Sequence, residues 1–182
     1  MTVFHRTAIL SADLRYRYEL TRQLSLGSEA CRWICFVGLN PSIADALVDD
    51  PTIRREVAFA RALGANALIK VNLFAYRATV PARLVSLIRE QGFSVAEGPD
   101  NRDAVLEAVS FARRKGGKGV VLAHGALPKA LQLHARRIVE TIGPPLYCLG
   151  VTKLGEPRHP LYLPKTAELR LWTPPWASEA LT

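Results

Sequence analysis

Four short, nearly unbroken apolar runs, set between stretches of helical periodicity, predict an α/β fold of three layers, α/β/α, around a largely parallel central sheet. The runs are Trp33 to Val37, Ala67 to Phe74, Gly119 to Ala123 and Leu146 to Leu149. Strands covered on both faces read as continuous apolar runs, and a return to a parallel neighbour requires a crossover. With 182 residues, 49% of them apolar and 22% charged, the chain has the length and composition for one core. A single domain over 1–182 is expected, with its core over about 7–172 and a coreless tail over 173–182.

The opening, Thr7 to Leu24, alternates as a pair of antiparallel edge strands about Ser11-Ala12-Asp13, with Tyr16 and Tyr18 on one side and Arg15 and Arg17 on the other. Trp33 to Val37, ended by Gly38, reads as a central strand. Asp50 before Pro51 is a helix start: the carboxylate accepts orphan amides and proline already holds the first helical dihedral. Ile53, Val57 and Ala60 then give one apolar face, and Gly64 suits the stop. Pro81 opens a helix carrying Leu84, Leu87 and Ile88. Asn101 to Arg114 is another, with Val105, Ala108 and Ala112 inward, before a turn at Gly116-Gly117. Leu131, Ala135, Ile138 and Ile142 line the last helix, and Gly143-Pro144-Pro145 turns the chain into its final core strand.

Several function classes lose support. No apolar run approaches the ~20 residues of a spanning helix, and the start lacks a basic segment leading into an apolar one, so a cytoplasmic protein without a membrane partner is expected. The cysteines, Cys31, Cys35 and Cys148, are odd in number and lack paired spacing, which predicts reduced, buried thiols and no metal site. No phosphate loop, dinucleotide turn or nucleophile elbow occurs, so no cofactor is expected. The formal charge of +8, much of it arginine, suits either phosphate-bearing partners, nucleic acid or nucleotide, or simply a basic soluble protein.

In parallel sheets ligands collect beyond the carboxyl ends of the strands, which directs attention to four loops. In Gly38-Leu39-Asn40-Pro41-Ser42, glycine allows close backbone approach, Asn40 both donates and accepts, and Pro41 stiffens the turn; an ordinary turn would use the same residues. Asp45 and Asp49 are candidates for orienting water or binding a cation, whereas Asp50 is explained by its cap. Asn72, inside an apolar strand, requires a partner: either backbone, or a planar ligand with an amide-like edge. Tyr76 and Arg77 just beyond are candidates for stacking on a ring and gripping a phosphate. His124 and the Arg158-His159 pair fall where strands give way to loops, while His5 and His134 read as surface.

Taken together, five ordered segments resemble the bacterial domain-of-unknown-function family 1643 over roughly Thr7 to Trp172. They are Gly38 to Ser42, Asp49-Asp50-Pro51-Thr52, Val71 to Thr79, Gly98-Pro99-Asp100-Asn101 and Arg158-His159-Pro160-Leu161-Tyr162-Leu163. The chain is more distantly similar to the uracil-DNA glycosylase superfamily. Gly38 to Ser42 resembles its Gly-x-Asn-Pro-Gly motif, with Ser42 in place of the last glycine. Val120 to Gly125 resembles its apolar strand ending in Trp-Gly, with His124 in place of tryptophan, and His159-Pro160 resembles its His-Pro loop. That resemblance implies a nucleobase-recognising protein of glycosylase-like fold, with N-glycosidic hydrolysis as its reaction. Asn40 would position water, Asn72 would read the base, and His159 would stabilise charge on the departing base. Gly38, Pro41, Ser42, Tyr76, Arg77, His124 and Arg158 would complete the binding surface. A nucleic-acid-binding module without catalysis, and a nucleotide hydrolase or transferase using Asp45 or Asp49, remain alternatives. Binding to DNA, if driven by charge, should weaken as salt rises.

Overall fold

A computed structural model of the protein describes residues 2–26, 32–116 and 119–177. In chain order the elements are β1 (His5–Leu10), β2 (Arg17–Gln23), β3 (Trp33–Gly38), α1 (Pro51–Ala62), β4 (Ala67–Asn72), α2 (Pro81–Gln91), α3 (Phe93–Glu97), α4 (Asn101–Arg114), β5 (Gly119–Leu122), α5 (Lys129–Ile142), β6 (Leu146–Cys148) and β7 (Arg170–Leu171). They build a mixed sheet in the order β1-β2-β4-β3-β5-β6-β7 within an α/β/α arrangement. Its centre, β4-β3-β5-β6, is parallel, whereas β1, β2 and β7 run antiparallel to their neighbours.

Side-chain alternation divides the core. Cys35, Val37, Ile69, Val71, Val120 and Leu122 face α2, α4 and α5, whose Leu84, Leu87, Val105, Val109, Leu131 and Ile138 cover that side. Ile34, Phe36, Leu68, Val121 and Ala123 face the opposite way, toward Ile53, Val57 and Ala60 of α1. Helix α1 begins as the Asp50-Pro51 pair requires: the Asp50 carboxylate accepts from the Ile53 amide at 2.8 Å. Arg55 of α1 donates to the Leu163 carbonyl, tying the helix to the segment after His159.

Several expectations need correction. Strand β2 is not an edge: it pairs with both β1 and β4, and its Arg17 and Arg22 are buried. His134 is not a surface residue; its ring stacks between Phe74 (5.1 Å) and Phe93 (5.2 Å) and meets the Glu97 carboxylate at 3.0 Å. The tail also takes part in packing, because Trp176 lies edge-on to Trp172 at 5.9 Å against the core. Cys35 and Cys148 are free and buried, while Cys31 and Gly117 lie outside the described residues. No helix among the described residues is long and apolar enough to cross a membrane.

Candidate functional site

The chain places β4 on one side of β3 and β5 on the other, so the loops leaving these strands diverge and open a crevice at their carboxyl ends. A cleft of about 670 Å³ lies there. Gly38, Asn40 and Ser42 contribute from the loop after β3, Asn72 from the end of β4, His124 from the loop after β5, and Arg158 and His159 from the segment following β6. Residues more than a hundred positions apart in sequence thus share one wall-to-wall space. Asp50, at the start of α1, lines it as well.

Asn40 is fixed by its own amide. Both N–H groups are committed, to the Pro41 carbonyl at 3.0 Å and the Ala78 carbonyl at 2.7 Å, which leaves Oδ1 as an acceptor. Only the amide nitrogen can meet two carbonyls, so this orientation follows from the donors and acceptors present. The Pro41 carbonyl also accepts from the Ala78 amide at 2.8 Å, so the loop after β3 and residues 73–78 run side by side. Pro41 shapes this turn and is not in the cleft wall.

Asn72 behaves differently. It is 1% exposed, and neither its Oδ1 nor its Nδ2 has a hydrogen-bond partner, although its backbone carbonyl accepts from Asn101 at 3.1 Å. A backbone partner for the side chain is therefore not found, and an amide in that state costs about 1–3 kcal/mol when left unpaired. Alternation along β4 puts Lys70 on the same face, two residues earlier. Its side chain is 4% exposed, and its ammonium meets the carboxylate of the fully buried Glu56 of α1 at 2.6 Å. A methyl group added to Gly38 would stand 2.6 Å from Lys70 Nζ and 2.8 Å from Asn72 Oδ1, so only glycine lets both polar ends reach this floor.

Arg17, 1% exposed, also lines the cleft and donates to the Ala44 carbonyl at 2.8 Å. Burial pushes its pKa down to about 10 against the pull of Asp50 and Glu56. Burial raises the Glu56 carboxyl, and Lys70 opposes that shift. Lys70, Glu56 and Arg17 were missed by sequence reasoning, although a lysine within an apolar strand and a glutamate on the apolar face of α1 were visible signals.

The two histidines are held in opposite ring states. His159 Nδ1 accepts from the Leu161 amide at 3.4 Å, leaving Nε2 to carry the proton of the neutral ring. Burial pushes its pKa down to about 4, and the Lys70 charge acts in the same direction. His124 Nδ1 lies 2.7 Å from the Gly125 carbonyl and so carries its proton, while Nε2 stands 3.9 Å from Glu156 Oε2. Gly125, with φ of +76°, lets this loop approach His159, since a methyl group there would lie 3.2 Å from His159 Cβ.

Burial also pushes His124 from 6.5 down to about 4. Between those values the unfolded chain binds a proton that the folded one refuses, so its contribution to stability is complete above about pH 6.5 and is lost as pH falls toward 4. At 1.36 kcal/mol per pKa unit the loss is on the order of 3 kcal/mol. Urea unfolding of the wild type and His124→Gln at pH 7 and pH 4.5 should show a steeper acid loss for the wild type. Parallel profiles would contradict this account.

Besides Pro41, four expected residues lie elsewhere. Asp45 accepts from the Leu47 and Val48 amides at 2.8 Å, closing a turn, and Asp49 pairs with Arg22 at 2.7 Å and Arg6 at 3.0 Å. Neither carboxylate lines the cleft. No group of three or more His, Cys, Asp or Glu suited to a metal occurs among the described residues. Tyr76 packs edge-on against Tyr16 at 6.0 Å, and Arg77 donates to the carbonyls of Ser42 (3.2 Å), Ile43 (3.2 Å) and Leu14 (3.3 Å). Because β4 ends at Asn72, the chain has already turned at these positions and they buttress the loop from behind.

No curated protein and no solved structure matches the chain significantly. Residues 17–161, which contain every element from β2 to β6 and reach into the His159 turn, match the family described as Protein of unknown function (DUF1643). The chain belongs to that family.

Proposed function

We propose that the cleft binds a nucleobase, carried by a nucleic acid or a nucleotide, and that the protein hydrolyses its N-glycosidic bond. The observation that carries this reading is the buried Asn72 amide, with donor and acceptor both unpaired on the floor of an open cleft. A base edge offering one acceptor and one donor side by side satisfies both atoms at once. Asn40, its Oδ1 free and its orientation fixed, accepts from a water beside the sugar carbon. His159 Nε2–H donates to the base as negative charge develops on it. Arg158, exposed at the rim, meets a phosphate. The parallel order β4-β3-β5-β6, with these loops at its carboxyl ends, supports the glycosylase-like arrangement that the motif order implies.

The test is incubation of the protein with single- and double-stranded oligonucleotides carrying modified bases, and with free nucleosides. Release of a base with an abasic product is expected, and Asn72→Ala should weaken substrate binding about 10- to 100-fold, the range of a lost buried pairing. Intact strands despite salt-sensitive binding would favour a module without catalysis. Turnover of nucleosides alone would exclude the polynucleotide.

A further inference from the structure

Lys70 occupies a position that the fold does not require. It lies in β4, between β2 and β3, opposite Leu20 and Phe36 in register, and every neighbouring residue of the strand is buried. Replacing a buried ion pair by apolar side chains of similar volume is often neutral or stabilising, so packing alone gives no reason for Lys70 and Glu56. The pair is nevertheless built with care. Glu56 reaches it from the apolar face of α1, Gly38 makes room for the ammonium, and the remaining Lys70 N–H donors have no protein partner among the described residues. Asp50, Arg17 and, at the rim, Arg158 are the other charged groups lining the cleft. Lys70 Nζ and Asn72 Oδ1 converge on the same spot above Gly38, so a base edge that engages Asn72 presents its adjoining atom to the ammonium.

We infer that Lys70, anchored by Glu56, is a specificity-determining residue of the cleft, donating to an oxygen on the inner edge of the base and selecting bases that carry negative charge there. This rests on the nucleobase reading above. Glu56 holds the ammonium in place and keeps it from lying unpaired in the interior. A base with a more acidic ring N–H places more charge on its carbonyl oxygens and is held more tightly by a cation. An exocyclic amine at the same point would set donor against donor and be refused.

The test uses free bases in two closely shape-matched pairs, 5-fluorouracil against uracil and 6-azauracil against uracil, which keep the same carbonyl oxygens and differ mainly in ring acidity, with affinities measured by calorimetry at one pH and one salt concentration. For the wild type the more acidic member of each pair should bind about 10-fold more tightly. Lys70→Met should lose about 10- to 100-fold for the acidic member and bring each ratio close to one. Asn72→Ala should weaken both members alike and keep the ratio, a pattern that general damage to the cleft would not give. Equal affinities within both pairs in the wild type overturn the inference even if Lys70→Met fails to fold. A ratio retained in a folded Lys70→Met does the same. Failure of the wild type to bind any base, free or in a nucleoside, overturns the nucleobase reading and this inference with it.

Discussion

Replacing Asn40 with alanine is expected to lower turnover about 10²- to 10³-fold while changing substrate affinity only slightly, as for a group that acts on water in the transition state. The alanine variant also loses two hydrogen bonds, one within the loop to the Pro41 carbonyl and one to the Ala78 carbonyl that joins the loop after β3 to residues 73–78. A stability loss of about 1–3 kcal/mol therefore accompanies the kinetic one. The two effects separate in measurement. Loop damage raises KM and lowers the unfolding midpoint together, whereas loss of a water-positioning oxygen lowers kcat with KM nearly constant. If Asn40→Ala only raised KM and left kcat unchanged, Oδ1 would have no part in the chemical step and Asn40 would be a strut of the loop alone.

The four central strands were legible because covered parallel strands leave an uninterrupted apolar signature, and their observed ends lie within a residue or two of those read from the sequence. What escaped has no such signature. Strand β7 is two exposed residues recruited by the edge of β6, and α3 is five residues enclosed by Gly92 and Gly98, both at positive φ. The site followed the same logic. Asn72 stood out as an amide in an apolar strand, and the loops of Asn40, His124 and His159 were traceable to strand ends, where the topology brings them together. Tyr76 and Arg77 were drawn into the site by extending the strand to Phe74. Its end at Asn72 turns them behind the loop instead. The Lys70–Glu56 pair crosses from a strand to a helix, so in the sequence each residue is only an isolated break in an apolar pattern, and only the packed layers show that the two breaks meet.

That pair predicts a large effect on stability. Glu56→Ala removes the hydrogen-bonded partner of Lys70, whose side chain is 4% exposed. It also strips the carboxylate that helps keep the buried Arg17 charged, leaving Asp50 as the carboxylate of this wall. Breaking a buried pair from one side costs about 3–5 kcal/mol because the remaining charge is uncompensated, a sizeable part of the about 5–15 kcal/mol that holds a domain folded. Urea denaturation should show a much lower midpoint with an unchanged slope, the mark of a destabilised native state rather than a different unfolded one. The double variant Glu56→Leu with Lys70→Met removes both charges and fills similar volume, so it should recover most of that loss while abolishing the preference for acidic bases. Recovery of stability without recovery of selectivity would separate the two roles of the pair. A Glu56→Ala variant within about 1 kcal/mol of the wild type would mean that Lys70 reaches water through the cleft and needs no buried partner, since exposed pairs contribute about that much or less.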